Sequence, residues 1–470
     1  MRRAYAALLA LCLGLFGALA TAGPAQAAPQ KITNGTQFTD SSGNPVHAHG
    51  GGVLKVGSYY YWFGEHRNAD NTFRYVDAYR STDLKNWEFR NHVLTEASDP
   101  ELGAANIERP KVMYNASTGK FVMWMHKENG TDYSEARAAV AVSDTVDGDY
   151  TWKGSFRPLG QHMSRDITVF ADTDGAGYMI SAARENYDLQ IYRLTADYTG
   201  IASLVANPWP GGHREAPALF KRNGVYFMLT SGATGWNPNQ QQYATATSIA
   251  GPWSAMKNVG DSTTYGSQTA FVLPVQGTSG TSYLYLGDRW GNSFGGTVND
   301  SRYVWLPLAF SNATTMSMSW SPEVTVDTAA GTVTGTAATY NTLIARHSSK
   351  CADVTSQSLW AGAQIKQYDC NGGGNQKYWF KSVGSGYYQL MVRNSSLCVQ
   401  ENASTVTQEN CASSATNQQW SLTTTGSYVN VTSRASGECL DVNGASTANG
   451  AALITYTCNA GTNQQWTRGT

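Results

Sequence analysis

The sequence predicts an all-β protein in which a five-bladed β-propeller precedes a smaller domain of three similar β units. Aromatic residues and glycine are abundant, with 14 Trp, 26 Tyr, 14 Phe and 47 Gly among 470 residues, as expected of many short strands joined by glycine turns. A loose repeat of about 55 residues runs through the first two thirds of the chain, and a closer repeat of about 43 residues ends it. Both repeats indicate domains built from recurring β units.

The charge balance excludes several classes of partner. The chain carries 33 Lys+Arg against 34 Asp+Glu, so no basic excess is available for phosphates or an anionic membrane. Its 41% hydrophobic content argues against disorder. No phosphate-binding glycine loop, Ser-His-Asp arrangement or His-x-x-x-His motif stands out, although oxygen ligands from distant loops would leave no local spacing. We expect a monomer with no cofactor, no metal, and neither a nucleic-acid nor a membrane partner.

The first 27 residues have the pattern of a secretory signal peptide. Arg2 and Arg3 form a basic start, Ala6 to Ala20 is an apolar run, and Ala25-Gln26-Ala27 fits a cleavage site. A membrane anchor is the alternative, but the run is shorter than the ~20 residues that a spanning helix needs. We expect a secreted, extracellular protein whose mature chain begins near Ala28.

The cysteines outside the signal peptide form an even set confined to the last third of the chain. They are Cys351, Cys370, Cys398, Cys411, Cys439 and Cys458. Such a set in a secreted protein predicts disulfides. Zinc binding is the alternative, but no C-x-x-C pair or clustered His accompanies these residues. We expect one local disulfide in each C-terminal repeat.

Each cysteine pair is followed by an Asn-Gln-x-aromatic element. The three elements begin at Asn375, Asn417 and Asn463, at intervals of 42 and 46 residues. Their aromatic residues are expected to share a core. Residues 340–470 thereby resemble the ricin B-chain β-trefoil, carbohydrate-binding module family 13.

That resemblance implies sugar sites in the first and third lobes of the trefoil. In the family, an Asp after the first cysteine, an aromatic before the second and the Asn-Gln pair hold the sugar. The matching residues are Asp353, Tyr368, Asn375, Gln376, Asp441, Tyr456, Asn463 and Gln464. The second lobe has Gln400 in place of the Asp, so we expect it to be structural. The alternative is that all three lobes only pack.

The larger domain, expected over residues 28–326, repeats five times more loosely. Aromatic-rich strand segments occur at 59–63, 121–125, 177–180, 225–229 and 283–286, each preceded by another short strand. These preceding strands lead with His49, Glu108, Asp166, Glu215 and Gln268, spaced by 59, 58, 49 and 53 residues. Five such units predict a propeller, whereas a β-sandwich, the alternative, would not repeat five times. The small, polar residues 327–339 are expected to be a linker.

In a propeller the innermost strands line a central channel, so the five leading residues should converge there. Four of them are acids or amides. Carboxylates held close together raise one another's pKa, which is what a general acid requires. The channel is therefore the predicted active site.

Over about residues 31–326 the chain resembles glycoside hydrolase family 43, and more narrowly its exo-β-1,3-galactanases. Six segments carry this resemblance: Ala48–Gly52, Tyr60–Glu65, Ser81–Trp87, Glu108–Val112, Ser164–Asp166 and Arg214–Pro217. The resemblance implies an inverting reaction in which Glu215 is the general acid and Asp166 tunes its pKa. The alternative for both is a channel-lining salt bridge to Arg165 or Arg214.

The catalytic base is where the family pattern breaks. Most members carry an Asp in the first inner strand, but this chain has His49 and three glycines there, as the galactanase branch does. We expect Gln268 to hold the attacking water and Glu108 to contact sugar hydroxyls, with Glu108 as the rival base. An inverting reaction requires roughly 6.5–9.5 Å between the acid and the group opposite it.

Three further residues are expected to contact sugar rather than catalyse. Glu65 ends the first aromatic strand, and Tyr133 and Trp236 lie in later loops. An aromatic face stacks on a sugar ring, and a carboxylate accepts hydrogen bonds from hydroxyls. Packing is the alternative for Trp236.

The expected function is the release of galactose from β-1,3-galactan main chains, such as those of arabinogalactan-protein glycans. The trefoil would hold the polymer near the active site. One alternative is an arabinofuranosidase or xylosidase, because a fold does not fix a substrate. The other is a non-catalytic galactose-binding lectin.

Overall fold

The computed structural model describes residues 28–403 and 405–469, so the predicted signal peptide lies outside the described residues. These residues form strands and short 3-10 turns and no α-helix, which confirms the all-β class. None of their helical turns approaches the length and apolarity needed to cross a membrane. The 3-10 turns are Pro100–Leu102, Pro158–Gly160, Thr264–Gly266, Gly291–Phe294, Val298–Asp300, Thr355–Gln357, Gly374–Gln376, Thr416–Gln418, Asn443–Ala445 and Thr462–Gln464.

After β1 (Gln30–Thr33), the chain forms five antiparallel sheets of four strands, each sheet built from consecutive strands. In chain order the strands are β2 (His49–Val56), β3 (Tyr59–Arg67), β4 (Phe73–Ser81), β5 (Glu88–Thr95); β6 (Asn106–Asn115), β7 (Lys120–Glu128), β8 (Arg137–Ser143), β9 (Thr151–Phe156); β10 (Ile167–Ala171), β11 (Gly177–Ala183), β12 (Asp188–Leu194), β13 (Ile201–Ala206); β14 (Arg214–Arg222), β15 (Val225–Gly232), β16 (Gln242–Ala246), β17 (Lys257–Asn258); β18 (Gln268–Gly277), β19 (Gly280–Arg289), β20 (Arg302–Phe310) and β21 (Met316–Met318).

The five sheets close into a ring through their first strands. Strand β2 contacts β6, β6 contacts β10, β10 contacts β14, β14 contacts β18, and β18 contacts β2 again. A separate apolar core fills the space between each sheet and the next. Between the last and first sheets, for example, Trp62 and Trp305 pack 4.9 Å apart and are both buried. The first strands therefore stand side by side around one axis.

A three-stranded sheet joins the start of the described chain to the end of the ring. Strand β1 pairs with β22 (Glu323–Asp327), which pairs with β23 (Thr332–Gly335). The predicted linker, 327–339, thus contains a strand. Beside β1, the Asn34 amide donates to the carbonyls of Trp305 and Ser321, which fixes this end of the chain to the fifth sheet.

The remaining strands form one 12-stranded arrangement with three local disulfides. The strands are β24 (Tyr340–Ala345), β25 (Cys351–Val354), β26 (Ile365–Tyr368), β27 (Tyr378–Gly384), β28 (Tyr387–Val392), β29 (Cys398–Asn402), β30 (Thr405–Glu409), β31 (Trp420–Thr425), β32 (Tyr428–Ser433), β33 (Cys439–Val442), β34 (Leu453–Tyr456) and β35 (Trp466–Gly469). The disulfides join Cys351 to Cys370, Cys398 to Cys411 and Cys439 to Cys458, as predicted. The repeat aromatics Tyr378, Trp420 and Trp466 share one buried core.

Candidate active site

Irregularities at the start of the first strands direct side chains toward one end of the ring. The pairing register shifts just after His49 in β2, after Glu108 in β6, after Glu215 in β14 and after Thr269 in β18. A bulge bends a strand and redirects its side chains, and bulges are common beside active sites. Glu108, Glu215 and Gln268 therefore stand beside bulges at the end of the ring where their strands begin.

The pocket at this end brings together all seven residues that the sequence predicts for the larger domain. They are Glu65, Glu108, Tyr133, Asp166, Glu215, Trp236 and Gln268. The pocket is also lined by residues that were not among the predicted catalytic or sugar-contacting residues: Arg67, Arg109, His126, Arg165, Asn186, Ala233, Gly235 and Trp290. Carboxylates, guanidinium groups and aromatic rings thus face one concave space, as in many polar-ligand sites.

Glu215 has the environment of a carboxylic acid that keeps its proton at neutral pH. Asn186 Nδ2 donates to Glu215 Oε2 at 2.9 Å, and Gln268 Nε2 donates to Oε1 at 3.0 Å. Burial, reinforced by the nearby Asp166 charge, raises the pKa of Glu215 to about 8. Desolvation and a like charge both disfavour the carboxylate, so Glu215 can donate a proton at pH 7.

Asp166 is held beside Glu215 by two contacts. Arg109 Nε lies 2.8 Å from Asp166 Oδ1, and the backbone N–H of Ala216 donates to Oδ2 at 3.0 Å. Ala216 directly follows Glu215 and has a left-handed φ of +50°. Asp166 therefore fixes the unusual backbone turn that carries Glu215.

All four hydrogen-bonding positions of the Gln268 amide are occupied. Its Oε1 accepts from Arg109 Nη2 at 2.6 Å and from Trp290 Nε1 at 2.7 Å. Its Nε2 donates to Glu215 and, at 2.9 Å, to Ser231 Oγ. A primary amide has two donors and two acceptor lone pairs, so a water bonded to Gln268 must replace one of these partners.

Glu108 and Glu65 share the guanidinium of Arg67. Arg67 Nη2 lies 2.8 Å from Glu108 Oε1 and 2.8 Å from Glu65 Oε2. Burial works to raise the pKa of Glu108, but its bonds to His126 and Arg67 outweigh burial and hold that pKa well below its usual range. Burial raises the pKa of Glu65, which Arg67 only partly offsets. Tyr133 donates its hydroxyl to Glu108 Oε1 at 2.9 Å.

The His-Gly-Gly-Gly segment of β2 is shaped by a residue of the last sheet. The Asp288 carboxylate accepts from the Gly50 N–H at 2.9 Å and lies 3.0 Å from His49 Nδ1. The His49 side chain is buried and does not line the pocket, unlike the other four leading residues. Gly50 has a φ of +62°, and a Cβ there would lie 2.4 Å from Glu65 Oε1. A larger residue at position 50 would therefore displace the Glu65 carboxylate.

Two tryptophans form an angled wall of the pocket. Trp236 and Trp290 have ring centroids 5.3 Å apart at an interplanar angle of 70°. Tyr133 keeps 38% of its surface exposed. Trp290 is buried, whereas the partly exposed rings of Trp236 and Tyr133 offer flat apolar faces beside hydrogen-bonding groups, which suits a sugar ring.

The first and third trefoil lobes carry identical polar clusters. Asp353 Oδ2 accepts from Asn375 and Gln376, at 2.9 and 2.7 Å. In the third lobe, Asp441 Oδ2 accepts from Asn463 and Gln464 at 2.8 and 2.9 Å. Each cluster lies near an exposed aromatic, Tyr368 or Tyr456, which pairs with the first cysteine of its lobe.

The second lobe lacks this arrangement. Gln400 takes the place of the Asp and accepts from Gln418 at 2.8 Å. Glu409 pairs with Cys398, so it occupies the register position that Tyr368 and Tyr456 hold in the other lobes. No carboxylate accepts from Asn417 in the described part of this lobe; its amide donates to the Glu401 carbonyl instead.

Arg109 is the most consequential residue that the sequence analysis did not select. It contacts Asp166, Gln268 and the carbonyl of Thr269, and so links three first strands. Its only sequence signal is its place between Glu108 and Pro110 in a motif segment. Arg67, His126, Asn186 and Trp290 lie at strand ends or in loops where a single sequence carries no comparable signal.

Two family matches cover most of the described chain. Residues 43–290 match the glycosyl hydrolases family 43, and residues 339–466 match the ricin-type β-trefoil lectin domain. The first match includes every pocket residue named above. The second includes both polar clusters of the trefoil.

Solved structures of two exo-β-1,3-galactanases are similar to the chain over most of its length. The enzyme from Clostridium thermocellum is 48% identical, with 93% of this chain and 99% of that chain covered and a TM-score of 0.66. A Phanerochaete chrysosporium enzyme, solved with β-1,3-galactotriose, is 30% identical, with 83% and 92% covered and a TM-score of 0.65.

Similarity to curated proteins is more limited. A xylan 1,3-β-xylosidase from a Vibrio species is 25% identical over 201 residues, which are 38% of this chain and 35% of that protein. A β-agarase from Agarivorans albus is 36% identical over 59 residues, 13% of its length. The chain thus spans about a third or less of these relatives.

Proposed function

The chain belongs to family 43 of the glycosyl hydrolases, and we propose on that premise that it releases galactose from β-1,3-galactan with inversion at the anomeric carbon. The observation that carries this proposal is the placement of Glu215, which is buried in the pocket with the Asp166 carboxylate held beside it by Arg109 and the Ala216 N–H. Burial and the Asp166 charge raise the pKa of Glu215 to about 8. The 48% identity to an exo-β-1,3-galactanase supports the choice of substrate.

The five four-stranded sheets are, in this proposal, the blades of a propeller formed by residues 28–326. Residues 340–470 form the ricin-type trefoil, and the channel end described above is the active site. The three disulfides suit an oxidising, extracellular environment, which supports secretion after cleavage near Ala28. We keep the expectation of a monomer whose partner is a galactan-type polysaccharide.

Glu215 acts as the general acid. Its proton moves to the glycosidic oxygen as the bond to the anomeric carbon breaks, and water attacks that carbon from the opposite face. The proton that the water loses passes to solvent, from which the Glu215 carboxylate is protonated again. Asp166 keeps the Glu215 pKa high through its charge and holds the backbone of Ala216. Attack opposite a β-linked leaving group gives α-galactose.

The group that activates the water is either Gln268 or Glu108. Gln268 donates to the acid itself at 3.0 Å, far less than the roughly 6.5–9.5 Å that an inverting reaction requires between the acid and the group opposite it. Substrate must therefore separate the two side chains, which breaks one of the four Gln268 bonds and frees its amide to hold a water. Glu108 is charged at neutral pH, but its low pKa makes it a weak base. We retain Gln268 as the residue that positions the water, and Glu108 and Glu65 as partners for sugar hydroxyls. Tyr133 and Trp236 are aromatic contacts to the sugar ring.

The direct test is incubation of the secreted protein with debranched β-1,3-galactan, followed by anomeric NMR. Initial release of α-galactose supports the proposal, and initial β-galactose contradicts inversion. The similarity to a xylan 1,3-β-xylosidase makes β-1,3-xylan the second substrate to try. Cleavage of xylan or arabinan oligomers alone would select an activity other than galactan hydrolysis. Binding without cleavage would select a lectin.

The value of kcat/KM is expected to fall above about pH 8, because the acid must carry its proton and the pKa of Glu215 is raised to about 8. Asp166→Asn removes a charge that raises this pKa, so it should move the alkaline limb to lower pH. The profile of each protein on β-1,3-galactotriose measures this. If the alkaline fall of kcat/KM occurs at the same pH in Asp166→Asn, a group other than Glu215 causes it.

The trefoil is expected to retain polysaccharide through its first and third lobes. Combined Asp353→Asn and Asp441→Asn should remove most retention on galactan, since each carboxylate organises an Asn-Gln pair and can accept charge-assisted bonds from sugar. Affinity electrophoresis in galactan gels measures retention. Gln400→Asn in the second lobe is the matched control and should leave it unchanged. Hydrolysis of galactotriose should stay normal in the double variant and in Gln400→Asn. If the double variant is still retained on galactan, the two Asp clusters have no role in sugar binding.

A further inference from the structure

Two histidines and an aspartate form a compact cluster on the first sheet, outside the catalytic pocket. His66 lies in β3 between Glu65 and Arg67, which line the pocket. Alternate side chains of a strand face opposite ways, so His66 faces away from the pocket. Asp77 of β4 and His92 of β5 pair across the same sheet and complete the cluster.

The donor atoms of these three side chains already converge. His66 Nδ1 lies 2.9 Å from Asp77 Oδ2, and His92 Nδ1 lies 2.6 Å from Asp77 Oδ1. One ligand atom from each residue can be chosen so that all lie within 4.8 Å of one another. Ligands bound to one zinc ion at about 2.0–2.2 Å are roughly 3 Å apart, so small shifts would admit an ion.

The surroundings hold the ligands while leaving them accessible. The Tyr75 ring stacks on His92 with a centroid distance of 3.8 Å, and His47 stacks on His66 at 4.2 Å. The Tyr79 hydroxyl donates to Asp77 Oδ2 at 3.2 Å. A hydrogen bond that orients a ligating carboxylate, as Tyr79 does here, strengthens metal binding. His92 is 41% exposed and Asp77 only 2%, so solvent reaches the cluster from one side.

We propose that His66, Asp77 and His92 form a binding site for a divalent transition-metal ion, with Zn²⁺ as the preferred occupant. Two imidazole nitrogens and one carboxylate suit zinc, copper or nickel rather than calcium or magnesium, which favour all-oxygen sites. Each imidazole would bind through Nδ1 and carry its proton on Nε2. Water would fill the position that faces solvent.

Titration of the EDTA-treated full chain with ZnCl₂ in a calorimeter tests this proposal. One Zn²⁺ per chain is expected, CaCl₂ should not compete, and Co²⁺ should give visible absorption bands of an imidazole-bound ion. His66→Gln and His92→Gln should each weaken Zn²⁺ binding by about tenfold or more, since each removes a ligand. Circular dichroism verifies that both variants fold.

His213→Gln is the matched control, because His213 is an exposed histidine just before β14, on another sheet. It should bind Zn²⁺ as the unchanged protein does. Absence of zinc binding in the unchanged protein would overturn the proposal, and so would undiminished affinity in both cluster variants. These outcomes do not depend on galactan hydrolysis, so the metal site and the proposed function fail or stand separately.

Discussion

Replacement of Glu215 by Gln is expected to lower kcat/KM on β-1,3-galactan by about 10²- to 10⁴-fold, the range for loss of a general acid or base. The amide has nearly the same shape as the acid, so the change removes the transferable proton with little loss of packing. Both Glu215 oxygens accept N–H bonds, so the new NH2 group needs an acceptor, which Asn186 supplies by turning its Oδ1 toward position 215. Asp166 and Gln268 keep their places. Galactose release measured by chromatography gives the rate.

A substrate with a better leaving group tests whether the activity lost in Glu215→Gln is due to the loss of proton donation. A nitrophenyl β-galactoside needs little protonation of its leaving oxygen, so Glu215→Gln should hydrolyse it at a rate much closer to that of the unchanged enzyme. Glu88→Gln, at a half-exposed glutamate on an outer strand, is the matched control and should be fully active. Near-normal galactan hydrolysis by Glu215→Gln would refute the acid assignment.

Much of the architecture follows from patterns visible in the sequence. The cysteine pairs and Asn-Gln-x-aromatic elements are local, so they predict the disulfides and the shared core of Tyr378, Trp420 and Trp466. The five leading residues recur at intervals of 49 to 59 residues, which is the length of one repeat. Four of them, Glu108, Asp166, Glu215 and Gln268, do line one pocket. Periodic burial leaves a periodic sequence, which can be recognised without coordinates.

The contacts that tune the site are not periodic and could not be predicted. Arg109 reaches Asp166 and Gln268 because its backbone adopts a left-handed φ of +53° at a bulge. Asp288 bonds Gly50 across the seam between the last and first sheets. The complete hydrogen bonding of Gln268 likewise depends on three different sheets. Such contacts depend on ring closure, which no local pattern encodes.

Replacement of Gln268 by Ala is expected to lower kcat on galactan by about 10²- to 10³-fold, the range for loss of one preorganised polar group. The change removes a donor to Glu215 and leaves Arg109 Nη2 and Trp290 Nε1 without their acceptor. Unpaired buried donors destabilise the site, so thermal unfolding should be measured beside activity. Trefoil binding to galactan should remain normal.

The nitrophenyl substrate separates the two roles open to Gln268. If the amide positions the attacking water, the loss in Gln268→Ala persists on nitrophenyl galactoside, because hydrolysis still needs the water. If the amide only orients Glu215, the loss largely disappears there, since protonation is no longer limiting. Glu108→Gln is the companion variant. If the loss of activity on nitrophenyl galactoside persists in Glu108→Gln but disappears in Gln268→Ala, Glu108 is the base.

The present geometry, in which Gln268 donates directly to the acid at 3.0 Å, requires substrate to separate the two groups before Gln268 can hold a water. Persistence of the Gln268→Ala loss would therefore also show that this bond breaks during the reaction.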